Sequence, residues 1–270
     1  MLTTVEGLTW HDVDACRWIT LDRPQRGNSL TREMVPALTE LFTSASTDDS
    51  IRAIGLTAAG DRSFCTGSDL AKSVESVKDS GAPAAEDVVR GLRGGIQRLV
   101  RSMLECEKVI VLGLNGVAAG AGGALLLAAD YVVAADHAAL VNPFTRIGIP
   151  PDGGTSYLLT RAIGPVRAKR VLIFGERVDA RTAHEWGLVS AVVPGSELAG
   201  AFRDRTLALA TGPTLAFGAT KRLVEHAADA SIDSAFWEEA YLVDKVRGSQ
   251  DAAEGYRSFA ERRDPEFKGR

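Results

Sequence analysis

Sulfur is scarce in this sequence, and what there is stands apart. The three cysteines, Cys16, Cys65 and Cys106, form no C-x-x-C pair, and their odd number leaves no complete disulfide framework. A reduced, cytoplasmic protein is the expectation. The opening residues, MLTTVEGLTWHDVD, lack a basic segment followed by an apolar stretch and do not read as a secretion signal. Positive charge is not in excess either. The 31 Lys and Arg against 35 Asp and Glu leave a formal net charge of −4, which argues against a nonspecific nucleic-acid binder. His11, His137, His184 and His226 lie in no metal-ligand spacing, so no metal is expected. One uncharged run, residues 109–129, is long enough to cross a bilayer. Its glycines and Asn115 divide it into a short buried strand and, from Ala124, a buried helix, so no membrane span is expected.

What is present suits a sizeable core: 270 residues, 45% of them hydrophobic and 24% charged. Apolar runs at 15–21, 51–57, 109–114, 131–135, 139–141 and 188–193 read as strands, with another short strand ending at Phe64. Asn28-Ser29-Leu30-Thr31 offers caps for a helix reaching about Ser44. Residues 73–83 are polar and small and read as a loop. Residues 88–103 carry apolar side chains at helical spacing, with Gly94-Gly95 as a point of division. Asp69 and Asp179 read as helix caps, and Asp251-x-x-Glu254 resembles a capping box. Past Pro194-Gly195 the pattern is helical throughout. Strand–strand–helix units followed by an all-helical tail imply an α/β fold with a core over 1–195 and a helical appendage over 196–270.

Two turns carry the chemistry. Ser63-Phe64-Cys65-Thr66-Gly67-Ser68-Asp69-Leu70 and the run from Asn115 to Ala124 each follow a strand and open a helix, which leaves backbone N–H groups unpaired. Two such turns side by side would bind an oxyanion. A dinucleotide reading of Gly120-x-Gly122 fails, because Leu125 stands where the third glycine belongs.

With its neighbours, this pair of turns resembles the crotonase (enoyl-CoA hydratase/isomerase) superfamily over nearly the whole chain. The resemblance rests on TLDRPQRGN, SFCTGSDL, NGVAAGAGGALLLAAD, IGIPPDGGTSYLLTRAIG, VDARTAHEWGLVSAVVP and EGYRSFAERRDPEFKG, in that order. It implies a spiral of strand–strand–helix turns and a C-terminal helical part that assembles trimers or dimers of trimers. It implies an acyl-CoA thioester as substrate, with coenzyme A part of that substrate and no separate cofactor. By motif position the oxyanion donors would be the N–H groups of Thr66 and Ala121, and the role of the Thr66 side chain stays open. Arg26, Lys72, Arg257 and Lys268 are candidates for contact with CoA phosphates or ribose.

The family's hydratases use two glutamates. The matching positions here are Ala124 and Phe144, which leaves them as candidate substrate-wall residues and argues against ordinary hydration. NPFTRIGIPPDGG resembles instead the Δ3,Δ2-enoyl-CoA isomerase branch, in which the acid of P-(D/E)-G is the base. Asp152 is that acid here. Moving a double bond from C3 to C2 requires one carboxylate to remove a proton and return one, with the dienolate held by the oxyanion hole. Hydration with a rearranged acid, another crotonase reaction, and a CoA-ester-binding subunit without catalysis remain alternatives. Asp130 is read as a structural partner.

Overall fold

The computed structural model describes residues 4–80 and 87–270. The chain opens with a hairpin, β1 (Leu8–Val13) and β2 (Cys16–Leu21), then helix α1 (Met34–Thr47). From there a unit repeats. Strand β3 (Ala53–Ala58) is followed by β4 (Ser63–Cys65) and helices α2 (Ala71–Ser80), α3 (Val88–Gly94) and α4 (Ile96–Leu104). Strand β5 (Val109–Leu114) is followed by β6 (Val117–Ala119) and α5 (Ala121–Leu127), and β7 (Tyr131–Ala135) by β8 (Ala139–Val141) and α6 (Thr155–Phe174). Strand β9 (Val178–Asp179), α7 (Ala180–Glu185) and β10 (Ala191–Val193) complete the α/β part. Helices α8 (Leu198–Ala210), α9 (Thr214–Ala227), α10 (Ile232–Arg247) and α11 (Gln250–Glu261) end the chain.

In each unit the first strand joins a large sheet of order β1-β2-β3-β5-β7-β10, and the second joins a smaller sheet of order β4-β6-β8-β9. Beyond the β1–β2 hairpin every pairing in the large sheet is parallel. In the small sheet β4, β6 and β8 run parallel, so their carboxyl ends lie side by side. The central strands β3, β5 and β7 of the large sheet are apolar and almost wholly buried, with α8 packed on them, as expected of buried parallel strands.

Several expectations need correction. Within the segment beginning at Asn28, Thr31 serves the helix start, its Oγ1 accepting the Met34 amide at 3.3 Å, whereas Asn28 is not a cap. Asn28 sits fully buried at φ 54°, and its amide donates to the Ala59 and Ser63 carbonyls at 3.0 and 2.8 Å. It staples two loops, and the helix starts at Met34. The expected loop at 73–83 is helical as far as Ser80; its residues 81–83 lie outside the described residues. The division at Gly94-Gly95 is present, with Gly95 at φ −103° and ψ −113° between α3 and α4. The last helix is capped by Ser249, whose hydroxyl accepts from the Ala252 amide, rather than by a box at Asp251. Asp251 is buried and receives the Lys268 and Gly269 amides at 2.6 and 2.8 Å.

The expected boundary near Pro194-Gly195 does not separate two cores. Phe202 on α8 packs edge-on against Trp18, with ring centroids 5.6 Å apart, and lies over Gly55 and Gly113. A methyl group on Gly55 would come within 2.8 Å of that ring. α8 is therefore part of the main core, α9 is tied to its edge through contacts with β5, and α10 and α11 are the helices that stand away from it. Among the described residues no helix is long and apolar enough to cross a membrane.

Candidate active site

The site forms where β4, β6 and β8 end. Cys65 pairs with Ala118, and Ala119 with Val141. Just past these pairs stand Gly67, two residues beyond Cys65, and Gly120 and Asn142, one residue beyond Ala119 and Val141. At φ 105° and 53°, Gly67 and Gly120 hold backbone conformations that disfavour any side chain. They are also in contact: a Cβ on Gly120 would lie 3.6 Å from the Gly67 Cα, and one on Gly67 would lie 3.5 Å from the Ala121 nitrogen. The two turns are therefore pressed together, backbone on backbone. Gly122 fixes the same contact from the helix side, since a Cβ there would lie 2.2 Å from the Cys65 carbonyl oxygen.

The amides at this junction divide into used and free. The Thr66 N–H already donates to the Gly27 carbonyl at 3.0 Å. The assignment of Thr66 as an oxyanion donor is thereby corrected, because its hydrogen is spent on the loop that Asn28 staples. The Thr66 side chain leans on Gly27, whose Cβ position lies 2.7 Å from the Thr66 methyl. Two residues on, the Ser68 N–H has no partner among the described residues: the bonds linking this turn to Leu30 run from Leu30 N–H to the Gly67 carbonyl and from Asp69 N–H to the Leu30 carbonyl. The Ala121 N–H is the first of α5 and has no partner within the helix. Ser68 and Ala121 thus supply two free donors on either side of the Gly67–Gly120 contact. Ser68 was not selected by motif position, and nothing local to SFCTGSDL shows that Thr66 is occupied.

A wall and a carboxylate complete the cluster. Phe144 lies in a 3-10 turn, Phe144–Ile147, and its buried ring reaches the Gly120 Cβ position at 3.7 Å. Asp152 precedes Gly153 and Gly154, both left-handed at φ 63° and 83°. The Cβ position of Gly153 lies 3.2 Å from the Ala124 methyl and 3.2 Å from Ile96 on α4. Asp152 is thereby held one residue from α5. Its backbone carbonyl accepts from Thr155 N–H and Oγ1 at 3.0 and 2.8 Å, which anchors the first turn of α6. Its carboxylate has neither a hydrogen bond nor an ion pair among the described residues. Burial alone raises its pKa above the ordinary aspartate value.

The other acids nearby are committed. Asp69 pairs with Arg23 at 3.0 Å and accepts the Ala71 amide, and these contacts, led by the amide, lower its pKa. The Asp130 carboxylate is largely shielded from solvent, its side chain 20% exposed, and this desolvation pushes its pKa up, yet it holds Lys221 at 2.8 Å and accepts the Ile110 amide at 2.7 Å. It joins α9 to the core, the structural role expected of it. Arg26 is exposed in a 3-10 turn, Pro24–Arg26, beside Gly27 and so on the rim of the first turn. Lys72 falls in α2, with its side chain outside the described part of the structure. Arg257 pairs with Glu254 at 3.5 Å. A cavity of about 930 Å³ opens between α4, α9 and α10, and none of the residues of this cluster lines it.

A sequence profile of the enoyl-CoA hydratase/isomerase family matches residues 14–270. The chain belongs to that family, the crotonases. Similar proteins include the 1,2-epoxyphenylacetyl-CoA isomerase of Escherichia coli, 36% identical over 252 residues that cover 93% of this chain and 94% of that protein. The carnitinyl-CoA dehydratase of Proteus mirabilis is 32% identical over 261 residues, again 93% and 94% of the two chains. A crystal structure of enoyl-CoA hydratase from Bacillus anthracis superposes with a TM-score of 0.89 at 27% identity, covering 98% of this chain and 100% of that one. This crotonase is thus an acyl-CoA enzyme of the enoyl-CoA hydratase/isomerase family.

Proposed function

We propose that this crotonase moves a double bond in an acyl-CoA, converting a 3-enoyl to a 2-enoyl thioester. Asp152 would be the base, and the Ser68 and Ala121 amides the oxyanion hole. The observation that carries this reading is the state of Asp152: a half-buried carboxylate with no partner among the described residues, one residue from the helix that supplies a free amide. An unpaired, desolvated carboxylate is a stronger base than one in water, as removal of a proton next to a thioester requires. Negative charge developing on the thioester oxygen is met by two N–H groups that need no reorganisation. The same carboxylic acid then returns the proton at C4.

Hydration asks for a second acid or base, and the residues beside the hole are Ala124 and Phe144. A methyl group and a benzyl group neither orient water nor transfer protons. The E. coli relative is named as an isomerase of an acyl-CoA, in keeping with chemistry that one carboxylate can carry. A catalytically inert CoA-ester binder would have no use for an unpaired buried acid. The test is incubation with 3-enoyl-CoA and with 2-enoyl-CoA, followed by product analysis. Isomerase turnover should exceed hydration, and Asp152→Asn should bind acyl-CoA normally while losing several orders of magnitude in kcat. Unchanged isomerase kcat in Asp152→Asn would remove Asp152 from the reaction.

A further inference from the structure

The described residues contain three buried side-chain polar atoms without a partner: Trp18 Nε1, Asn115 Oδ1 and Asn142 Oδ1. Asn115 still donates from its amide nitrogen to the Ala58 and Gly60 carbonyls, at 2.9 and 2.7 Å. Trp18 belongs to the packing of α8 on the large sheet. Asn142 differs from both. It is 1% exposed, and its carboxamide makes no hydrogen bond with any described residue. A buried amide left without partners is costly enough that native proteins rarely retain one without a reason.

Its position supplies the reason. Asn142 follows Val141, which pairs with Ala119, so it stands level with Gly120 one strand away, about 4.8 Å across the sheet. Strand residues two apart share a face, and Leu140, two residues earlier, lies against α5: its Cδ1 is 2.9 Å from the Cβ position of Gly123. Asn142 therefore lies on the α5 face, beside the turn that presents the Ala121 amide. In the row Gly67–Gly120–Asn142 at the strand ends, it is the one residue with a side chain that hydrogen-bonds.

We propose that Asn142 is a specificity-determining residue whose carboxamide hydrogen-bonds an oxygen carried by the acyl group close to the thioester, so that the enzyme's substrates are oxygenated acyl-CoAs rather than plain hydrocarbon chains. This rests on the acyl-CoA reading of the site and is independent of whether Asp152 is the base. Bound substrate gives the amide the partner that the protein lacks. A site built to hydrogen-bond a substrate group discriminates strongly against the analogue without it, because the amide is then left buried and unpaired.

The test uses a matched pair of ligands that differ by one hydroxyl, 3-hydroxybutyryl-CoA and butyryl-CoA, with affinities measured by calorimetry. The wild-type protein should bind the hydroxylated ligand about tenfold more tightly, the difference one well-made hydrogen bond confers. Asn142→Leu, close in volume and without polar atoms, should erase the preference while keeping its affinity for butyryl-CoA. Asn142→Ala should give the same ratio, and serves if the leucine variant does not fold. Equal affinities in the wild type, or a preference that survives in the variants, would overturn the proposal. A merely structural or water-holding asparagine would change both affinities alike and leave their ratio untouched. Failure of either ligand to bind at all would overturn the acyl-CoA reading, whereas failure of isomerisation alone would not touch Asn142.

Discussion

At the scale of single residues, the site depends on which groups are left free. Asp152 has a raised pKa with burial as its only cause, so its proton is held more tightly in the native than in the unfolded chain. Stability linked to this group therefore falls as pH rises from the unfolded aspartate value, about 3.9, through the native one. Above that window the penalty is complete. Asp152→Asn lacks this penalty. Its melting temperature should exceed that of wild type at pH 7, and the two should converge at the acidic end. The acidic limb of the wild-type kcat profile should likewise lie above the ordinary aspartate range, since the base acts only when deprotonated. A melting curve and a pH–rate profile check both.

Motif position points to Asp152 and Ala121, and the structure brings both to the junction of the two turns. Motif position points to neither Ser68 nor Asn142. Whether an amide in SFCTGSDL is free depends on Gly27, far earlier in the chain, which takes the Thr66 hydrogen. Whether Asn142 has a partner depends on residues far from it in sequence, since Gly120, level with it on the next strand, has no side chain to offer. Both are facts of packing, invisible in either segment alone.

At the scale of elements, α5 matters most. The sequence suggested a helix from Ala124, whereas it begins at Ala121, and three residues before it form β6. Glycine-rich sequence reads as turn, yet here β4 and β8 flank it and give its backbone ladder partners. Short strands such as β6 and β9 owe their existence to those neighbours more than to their own residues. β1 was overlooked because it is an exposed edge strand with polar residues along it. Beginning at Ala121 also makes that residue the first of the helix, the position at which proline is tolerated. Ala121→Pro should therefore fold, which circular dichroism checks, while removing one oxyanion donor. Loss of such a donor costs about 3–4 kcal/mol of transition-state stabilisation, so kcat should fall by two to three orders of magnitude. A folded Ala121→Pro with wild-type kcat would mean that the oxyanion lies elsewhere.

At the scale of the whole molecule, α10 and α11 leave a broad apolar surface uncovered. Phe236, Trp237 and Tyr241 on α10 are 60%, 78% and 57% exposed, and Phe259 on α11 is 86% exposed. Apolar area of this kind marks an interface in a protein that folds around one core. We propose that it joins protomers into a homotrimer or a dimer of trimers. Trp237→Glu should shift the mass in solution toward the single chain, as light scattering would report. A variant with wild-type mass would place the interface elsewhere. The α/β architecture and the helical character of the tail were legible from periodicity. The attachment of α8 to the main core was not, since it depends on the groove that Gly55 and Gly113 leave in the large sheet.

That groove has a consequence for how the chain is made. Phe202 fills it, and Cys16 on β2 donates weakly to the Thr206 carbonyl on α8, a pairing of residues 190 positions apart. During synthesis the first strands emerge long before the helix that covers them. Until α8 appears, one face of an apolar parallel sheet has nothing to lie against. Contacts between segments so distant in sequence close late and slowly, and an uncovered sheet in the interim is prone to aggregate. The nascent protein should therefore rely on chaperones until about residue 210 has been translated, and a ribosome stalled before α8 would carry a chain still open to protease.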